Sequence, residues 1–444
     1  MTPVLMVLGA TVVGTLLSSV ISVLPALHAY NVLGLLVMGT LALAERGIAV
    51  APELYLPFSA GMIVGWSMLN TIPSVLLGAP DESAMFTVLP GQKYLMFGRG
   101  YEGTMMTGVG GLAGVFFLVF LVGPLAPKFL PIAQDVLRPH LHWILWIVTT
   151  FILMSEWPKG GNRGPAGWAK FADAWKTLSA GLATFFLSAL LGFILLYRSP
   201  VSTEAAFQNI MPAFVGLFAV PWCLTNIISG ARVPKQRFAS SLEISGDQIL
   251  RSCAAGGLGG GFAAFFPVIT GGVGGLLAGH ATAQRDEKVF LMSQGVSKLV
   301  YYVGSFMLLF VPGPAGGKGG AAIMMKVLYM PRTWYDYYMI LASIAIAGAL
   351  AFLMMGPLTR LTIRFIEKTN YRNASLLALA IIVALVFGVT GWAGLAVMLP
   401  ATGIGLIPVL FGSRRLNCLG ILLLPLACNM SGFGYTVAQW LGLI

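Results

Sequence analysis

Apolar residues run along this chain in blocks too long for strands and too uninterrupted for amphipathic surface helices. Thr104 to Val122, Thr177 to Tyr197, Pro212 to Ile228, Tyr337 to Met355 and Ala374 to Val389 each approach the ~20 residues that cross a hydrocarbon core as a helix. Polar residues gather in short clusters between the blocks. The pattern predicts an all-α, multi-pass protein of the cell membrane with about ten to thirteen transmembrane segments.

Proline and glycine interrupt these blocks in a repeated order. Val122-Gly123-Pro124-Leu125 returns as Met355-Gly356-Pro357-Leu358, 233 residues later, and Pro80 of Leu77-Gly78-Ala79-Pro80 precedes Pro312 of Phe310-Val311-Pro312-Gly313 by 232. A looser pair sets Val23-Leu24-Pro25 against Phe265-Phe266-Pro267. The ordered series divides the chain into a first transmembrane repeat, 1–229, a connecting basic loop, 230–251, and a second repeat, 252–444.

Charge placement bears on how the halves are related. If the glycine-rich stretch Ala254 to Ala278 crosses once, the loops on the two sides hold 11 and 10 Lys/Arg, which gives no orientation. If it enters and returns as a hairpin, loops 156–176, 230–251, 280–298 and 358–372 share one side with 15 Lys/Arg, against 6 in loops 123–140, 198–208 and 318–332. Only the hairpin satisfies the positive-inside bias. It also puts the two Gly-Pro-Leu loops on opposite faces, so the expectation is two inverted-topology repeats with re-entrant or broken helices.

Composition agrees with the pattern: 57% of residues are hydrophobic and 9% charged, with a mean hydropathy of +0.87. A net charge of +11 would suggest nucleic acid for a soluble protein, but here the basic residues sit beside spanning blocks, and nucleic-acid binding is not expected. The four cysteines lie singly in apolar surroundings and read as small buried residues. No metal-ligand spacing, nucleophile elbow or phosphate loop occurs, so the chain reads as no enzyme and as no ATP-driven pump.

Irregular backbone at membrane depth must be buried in protein or line a wet cavity. The breaks at Pro25 to Asn31, Pro73 to Ser83, Pro267 to Gly275 and Pro312 to Ala321 are therefore the candidate site. Asp81 and Glu82 follow two breaks and precede a resumed apolar run; at depth such acids are functional, and a proton or sodium ion would be their coupling ion. At the interface they would instead cap the next helix. His28 and Asn31 follow Pro25 by three and six residues and offer a hydrogen bond or a proton site. Ser74 and Gly78 belong to the same break as the acids. Thr270 adds a hydroxyl to Gly271, Gly272 and Gly274, whose amides face an anion if the hairpin tip is unwound, or which pack helices closely if it is not. Lys318, among Gly313, Gly316 and Gly317 after Pro312, would hold substrate charge or pair with Asp81; otherwise it snorkels from an interfacial loop.

The run Leu69-Asn-Thr-Ile-Pro-Ser-Val-Leu-Leu-Gly-Ala-Pro-Asp-Glu-Ser-Ala, continued through Leu89-Pro-Gly-Gln-Lys-Tyr and Gly98-Arg-Gly-Tyr-Glu-Gly, resembles the large membrane subunit of tripartite tricarboxylate transporters, in its archaeal-type branch. Thr402-Gly-Ile-Gly-Leu-Ile-Pro-Val-Leu-Phe-Gly-Ser-Arg-Arg fits as well, so the likeness covers essentially the whole chain in order. The resemblance implies many transmembrane helices in two inverted halves and ion-coupled carboxylate uptake. It also implies a small subunit and a periplasmic binding protein as partners, although the archaeal-type branch is not uniformly accompanied by them. The family keeps Pro-Gly at its hairpin breaks; here Pro25-Ala26, Pro73-Ser74 and Pro267-Val268 depart and Pro312-Gly313 keeps it.

The leading expectation is a secondary transporter moving an anionic, carboxylate-type substrate by alternating access, without a bound cofactor beyond a coupling ion. A polyprenyl-phosphate translocase, with lipid phosphate as cargo, is the alternative, and a non-transporting membrane scaffold is a third reading. Membrane lipid is a partner in each, and a homo-oligomer is compatible with all three.

Overall fold

The computed structural model describes residues 3–24, 28–157, 167–201, 209–230, 233–266, 269–311, 319–331 and 333–444. Its regular elements are all helical. The chain opens with α1 (Pro3–Val23), α2 (Ala29–Glu45), α3 (Pro52–Leu69), the short α4 (Thr71–Leu76) and α5 (Met85–Met96). α6 (Gly100–Phe116) winds through a π-helical turn, Phe117–Val122, into α7 (Gly123–Leu137), followed by α8 (Leu141–Ser155) and α9 (Trp168–Tyr197). α10 (Met211–Phe214) and α11 (Val220–Ser229) flank a second π-helical turn, Val215–Ala219. Then come α12 (Gly246–Phe265), α13 (Gly271–Ala281), α14 (Glu287–Met307), α15 (Gly320–Leu328) and α16 (Trp334–Thr369). α17 (Tyr371–Phe411) bends at Gly391, and α18 (Gly420–Met430) and α19 (Gly434–Trp440) follow.

Local chemistry sets many of these boundaries. Capping boxes of Ser245 with Gln248 and Thr333 with Asp336 start α12 and α16, each satisfying two first-turn amides. His28 and Thr270 cap α2 and α13 with their own side chains, which places both helix starts at breaks in apolar sequence.

Among the described residues six helical runs are long and apolar enough to cross a membrane, or seven if the bent pair Arg415–Met430 and Gly434–Trp440 is one span. The number is below the ten to thirteen expected, for two reasons. Gly100–Ser155 and Tyr371–Phe411 hold 56 and 41 residues, more than the ~20 one crossing needs. Other apolar blocks stop early: α2, α5, α13 and α15 have 17, 12, 11 and 9 residues.

The chain forms two compact units, one from residues 1–135 and 226–378, the other from 136–225 and 379–444. Each takes a stretch from both linear halves. In unit 1, α1 and α3 run parallel, since Gly14 meets the backbone of Phe58 and Gly65 meets Ser18. α12 and α14 are parallel too: Ser252 Oγ donates to Val289 O at 3.1 Å, and Gly260 packs on Ser297. Between them α13 runs back, from Gly271 beside Ser297 to Gly279 beside Phe290. Gln248 Nε2 donates to Asp286 Oδ2 at 2.8 Å, so the segment that enters as α12 has returned to its starting end before α14 begins. This is the in-and-back path expected for Ala254 to Ala278. α16 lies antiparallel to α6, with Gly348 on Val115 and Gly108 on Met355.

Small residues let these helices touch backbone to backbone. A Cβ on Gly110 would overlap Met292 O, and one on Gly295 would overlap Thr107 O, so α6 and α14 have no room for a side chain at their crossing. Gly110→Val is expected to lower stability by about 1–3 kcal/mol through overpacking, read as a lower Tm in detergent. An unchanged Tm would refute the close crossing.

Unit 2 is packed in the same way. A Cβ on Gly192 would overlap Ile421 O, and one on Gly420 would overlap Phe185 O, which fixes α9 against α18. Tyr197 Oη hydrogen-bonds Asn429, and Trp146 Nε1 donates to Ser431 Oγ at 2.9 Å.

Candidate functional site

The described parts of all four sequence breaks converge on one face of α14, around Lys298, Tyr302 and Ser305. From the first comes His28, at the start of α2. Its Nδ1 accepts the Tyr30 backbone N–H at 3.1 Å, and its ring stands 4.1 Å from that of Trp66 and 5.5 Å from that of Tyr302. From the second comes Asp81-Glu82-Ser83, the turn between α4 and α5. From the third comes Thr270, whose Oγ1 donates to Glu82 O at 3.1 Å. The fourth arrives as Gly319 and Gly320, packed on Ser305 and on the Tyr30 ring.

At the centre is Lys298, 1% exposed, whose Nζ lies 2.9 Å from Asp81 Oδ2. The ammonium also donates to Asn70 Oδ1 at 2.9 Å and sits 4.8 Å over the Trp66 ring. Acid, amide and aromatic face thus surround the charge, which is how a cation can be held out of water. The other Asp81 oxygen, Oδ1, accepts the amides of Ser83 at 3.1 Å and Ala84 at 2.6 Å. Asp81 is therefore both the acceptor of the first amides of the following turn and the counter-ion of Lys298.

Glu82 is placed differently. Tyr302 Oη donates to Glu82 Oε1 at 2.7 Å, while the longer 3.4 Å approach to Asp81 Oδ2 leaves that single phenolic proton with Glu82. Ser83 Oγ donates to the same Tyr302 oxygen at 3.1 Å. With Nδ1 of His28 engaged as an acceptor, its proton lies on Nε2 and points to Tyr302 Oη at 3.3 Å, with Glu82 Oε1 3.9 Å away. This fixes the neutral tautomer, because charging the ring would break the cap of α2. The cluster then holds two carboxyl groups beside one ammonium, and Glu82, whose side chain is 16% exposed, is the one not paired with Lys298.

His28, Asp81 and Glu82 bring one ligand atom each within 4.8 Å of one another, close enough to hold a metal ion. The donor set fits one poorly. His28 offers a protonated nitrogen, and Asp81 is already satisfied by two amides and an ammonium, which would repel a second cation at short range.

The remaining expected residues fall as follows. Asn31 is buried on α2. Ser74 Oγ donates to Asn70 O at 2.9 Å, behind the amide that meets Lys298. Gly78 turns the chain after α4 with φ +64°. Gly271, Gly272 and Gly274 form the first turns of α13, where a Cβ would meet Ser297, Ser83 and Gly259 respectively; their positions are close-packed rather than open. Pro25, Pro267, Pro312, Gly313, Gly316, Gly317 and Lys318 lie outside the described residues.

Lys298, Tyr302, Asn70, Trp66 and Ser83 were not singled out from sequence. Lys298 entered the charge count as the last residue of a basic loop, whereas α14 extends from Glu287 through Met307 and buries it. The available signal was a lysine inside the apolar helix Val289 to Met307, four residues before a tyrosine and so on the same face.

Comparison with known proteins identifies the family. A profile of the tripartite tricarboxylate transporter TctA family matches residues 8–420. An uncharacterized protein of Methanocaldococcus jannaschii is 25% identical over 421 residues, spanning 93% of this chain and 96% of its own length, in keeping with the archaeal-type branch. No solved structure matches. With a family match over nearly its whole length and apolar helices long enough to cross a bilayer, the chain belongs to the tripartite tricarboxylate transporter TctA family and is a multi-pass membrane protein.

Proposed function

We propose that this chain carries a carboxylate anion across the membrane by alternating access, coupled to a cation taken up at Glu82. The observation that carries the reading is the buried Lys298–Asp81 pair with the surplus acid Glu82 beside it, where four chain breaks meet. A substrate carboxylate competes with Asp81 for Lys298, and the negative charge it brings is balanced when Glu82 accepts its cation. A proton suits Glu82 better than sodium, since a hydroxyl already hydrogen-bonds its oxygen and the neighbouring ammonium fills the place of a metal cation.

An inverted relation between the halves is part of this reading, and the order of elements supports it. α1 and α3, with α2 between them in sequence, match α12 and α14 with α13 between them, and α6 lies antiparallel to its counterpart α16. Inverted repeats give two conformations that exchange the roles of the halves around a fixed site. The family's tripartite arrangement adds a small membrane subunit and a solute-binding protein as proposed partners.

Proteoliposomes of the purified chain test this with radiolabelled citrate under an imposed pH gradient, a sodium gradient or neither. Uptake is expected to follow the pH gradient. Uptake driven by sodium alone would make sodium the coupling ion, and no uptake under either gradient, with or without the family's accessory subunits, would overturn the carboxylate reading.

A further inference from the structure

Unit 2 holds a cation that the carboxylate cluster does not use. Arg415 opens the short 3-10 turn Arg415–Leu419, at the end of the Thr402 to Arg415 motif. Its Nη1 donates to Phe218 O at 3.2 Å, and the guanidinium carbon stands 4.1 Å from the centre of the Trp222 ring. Phe218 lies in the π-helical turn Val215–Ala219, whose wider winding turns a carbonyl out of the helical ladder for a side chain to take. Nη2 is buried and has no hydrogen-bond partner.

Among the described residues no acid neutralises this group. Their ion pairs involve His28, Lys93, Arg99, Arg251, Lys288 and Lys298, and Glu156, the buried acid of unit 2, instead accepts the Arg414 amide at 2.7 Å. Ser413 Oγ, two residues before Arg415, is likewise buried without a partner. A ring face and one carbonyl supply only partial negative charge, so a guanidinium out of bulk water keeps an uncompensated charge and an unused donor. Its planar fork matches the paired oxygens of a carboxylate or phosphate.

We propose that Arg415, stacked on Trp222, binds an oxyanion, either the phosphate of a lipid headgroup or a soluble carboxylate or phosphate. Arg415 is partly exposed as a residue while Nη2 itself is covered, so the bound state requires the groups that cover the fork to part. The inference is independent of cation coupling at Glu82.

The test uses the full chain carrying Lys298→Met with Asp81→Asn, which silences the unit 1 cation, reconstituted in lipid nanodiscs. Citrate and inorganic phosphate are titrated in phosphatidylcholine discs, and native mass spectrometry counts the phosphatidylglycerol retained from mixed discs. At least one probe is expected to bind, and Arg415→Gln is expected to weaken that binding about tenfold or more. Arg415→Lys should fall between, because an ammonium lacks the fork. Retention of phosphatidylglycerol alone assigns the lipid source, and binding of citrate or phosphate in phosphatidylcholine assigns a soluble anion. Binding of none of the three by protein with arginine at 415, or equal binding by a folded Arg415→Gln or Arg415→Lys, would overturn the proposal.

Discussion

Lys298→Met is expected to destabilise unit 1 by about 3–5 kcal/mol, the cost of leaving one member of a buried ion pair without its partner. The stranded group is Asp81, whose side chain is 8% exposed; its two backbone amides orient the carboxylate but carry no net charge to match it. Asn70 loses the donor to its Oδ1 as well. Adding Asp81→Asn should restore most of the lost stability, since an uncharged amide can still accept from the Ser83 and Ala84 amides. Melting curves of the wild type, both single variants and the double variant complete the cycle. A double variant as unstable as Lys298→Met alone would mean the lysine acts by shape and not by charge. Citrate uptake is expected to stay absent in the rescued double variant, because the cation that meets the substrate has gone; restored uptake with restored folding would remove Lys298 from the transport site.

Glu82→Gln should separate binding from coupling. Glutamine keeps an oxygen for Tyr302 and fixes the site in a neutral state, so the loaded carrier can still turn over but cannot take up or release the coupled cation. A gradient of two pH units supports about a hundredfold accumulation for each coupled proton, each tenfold step being about 1.4 kcal/mol. Glu82→Gln is expected to lose that accumulation and to retain exchange of labelled for unlabelled citrate. Accumulation equal to wild type would exclude Glu82 as the coupling group. Loss of both accumulation and exchange with an intact melting curve would assign Glu82 to substrate binding instead.

The two acids look alike in sequence, and only their partners distinguish them. Asp81 is tied to Lys298, 217 positions later along the chain, and Glu82 to Tyr302. No local spacing reports such a pairing, because α14 approaches the 81–83 turn through tertiary packing alone. The breaks themselves were readable, since proline and glycine in apolar blocks act locally on the backbone. The charge count placed Lys298 in a loop because the boundary of α14 depends on the N-cap Asp286 within Arg285-Asp-Glu-Lys, a cluster that also reads as solvated loop.

The glycine-rich stretch shows the same limit in another form. Its composition permits both an open nest of amides and a close-packed helix start. What decides between them is Gly259 of α12 lying against Gly274, and Ser83 against Gly272, contacts formed only when the hairpin is docked. The count of spans also needed the fold, since an apolar block is equally apolar whether it crosses once, bends or stops halfway.

By itself, then, the sequence determined the solvent of this protein, the helical class, the places where helices break and the family to which it belongs, because hydropathy and backbone stereochemistry act residue by residue. The tertiary structure alone decided that the described parts of the breaks converge, that Lys298 is a buried cation and that it pairs with Asp81 while Glu82 meets the Tyr302 hydroxyl. Charge balance in a low-dielectric interior depends on which groups are brought within a few ångströms, and that distance is set by packing across the whole bundle.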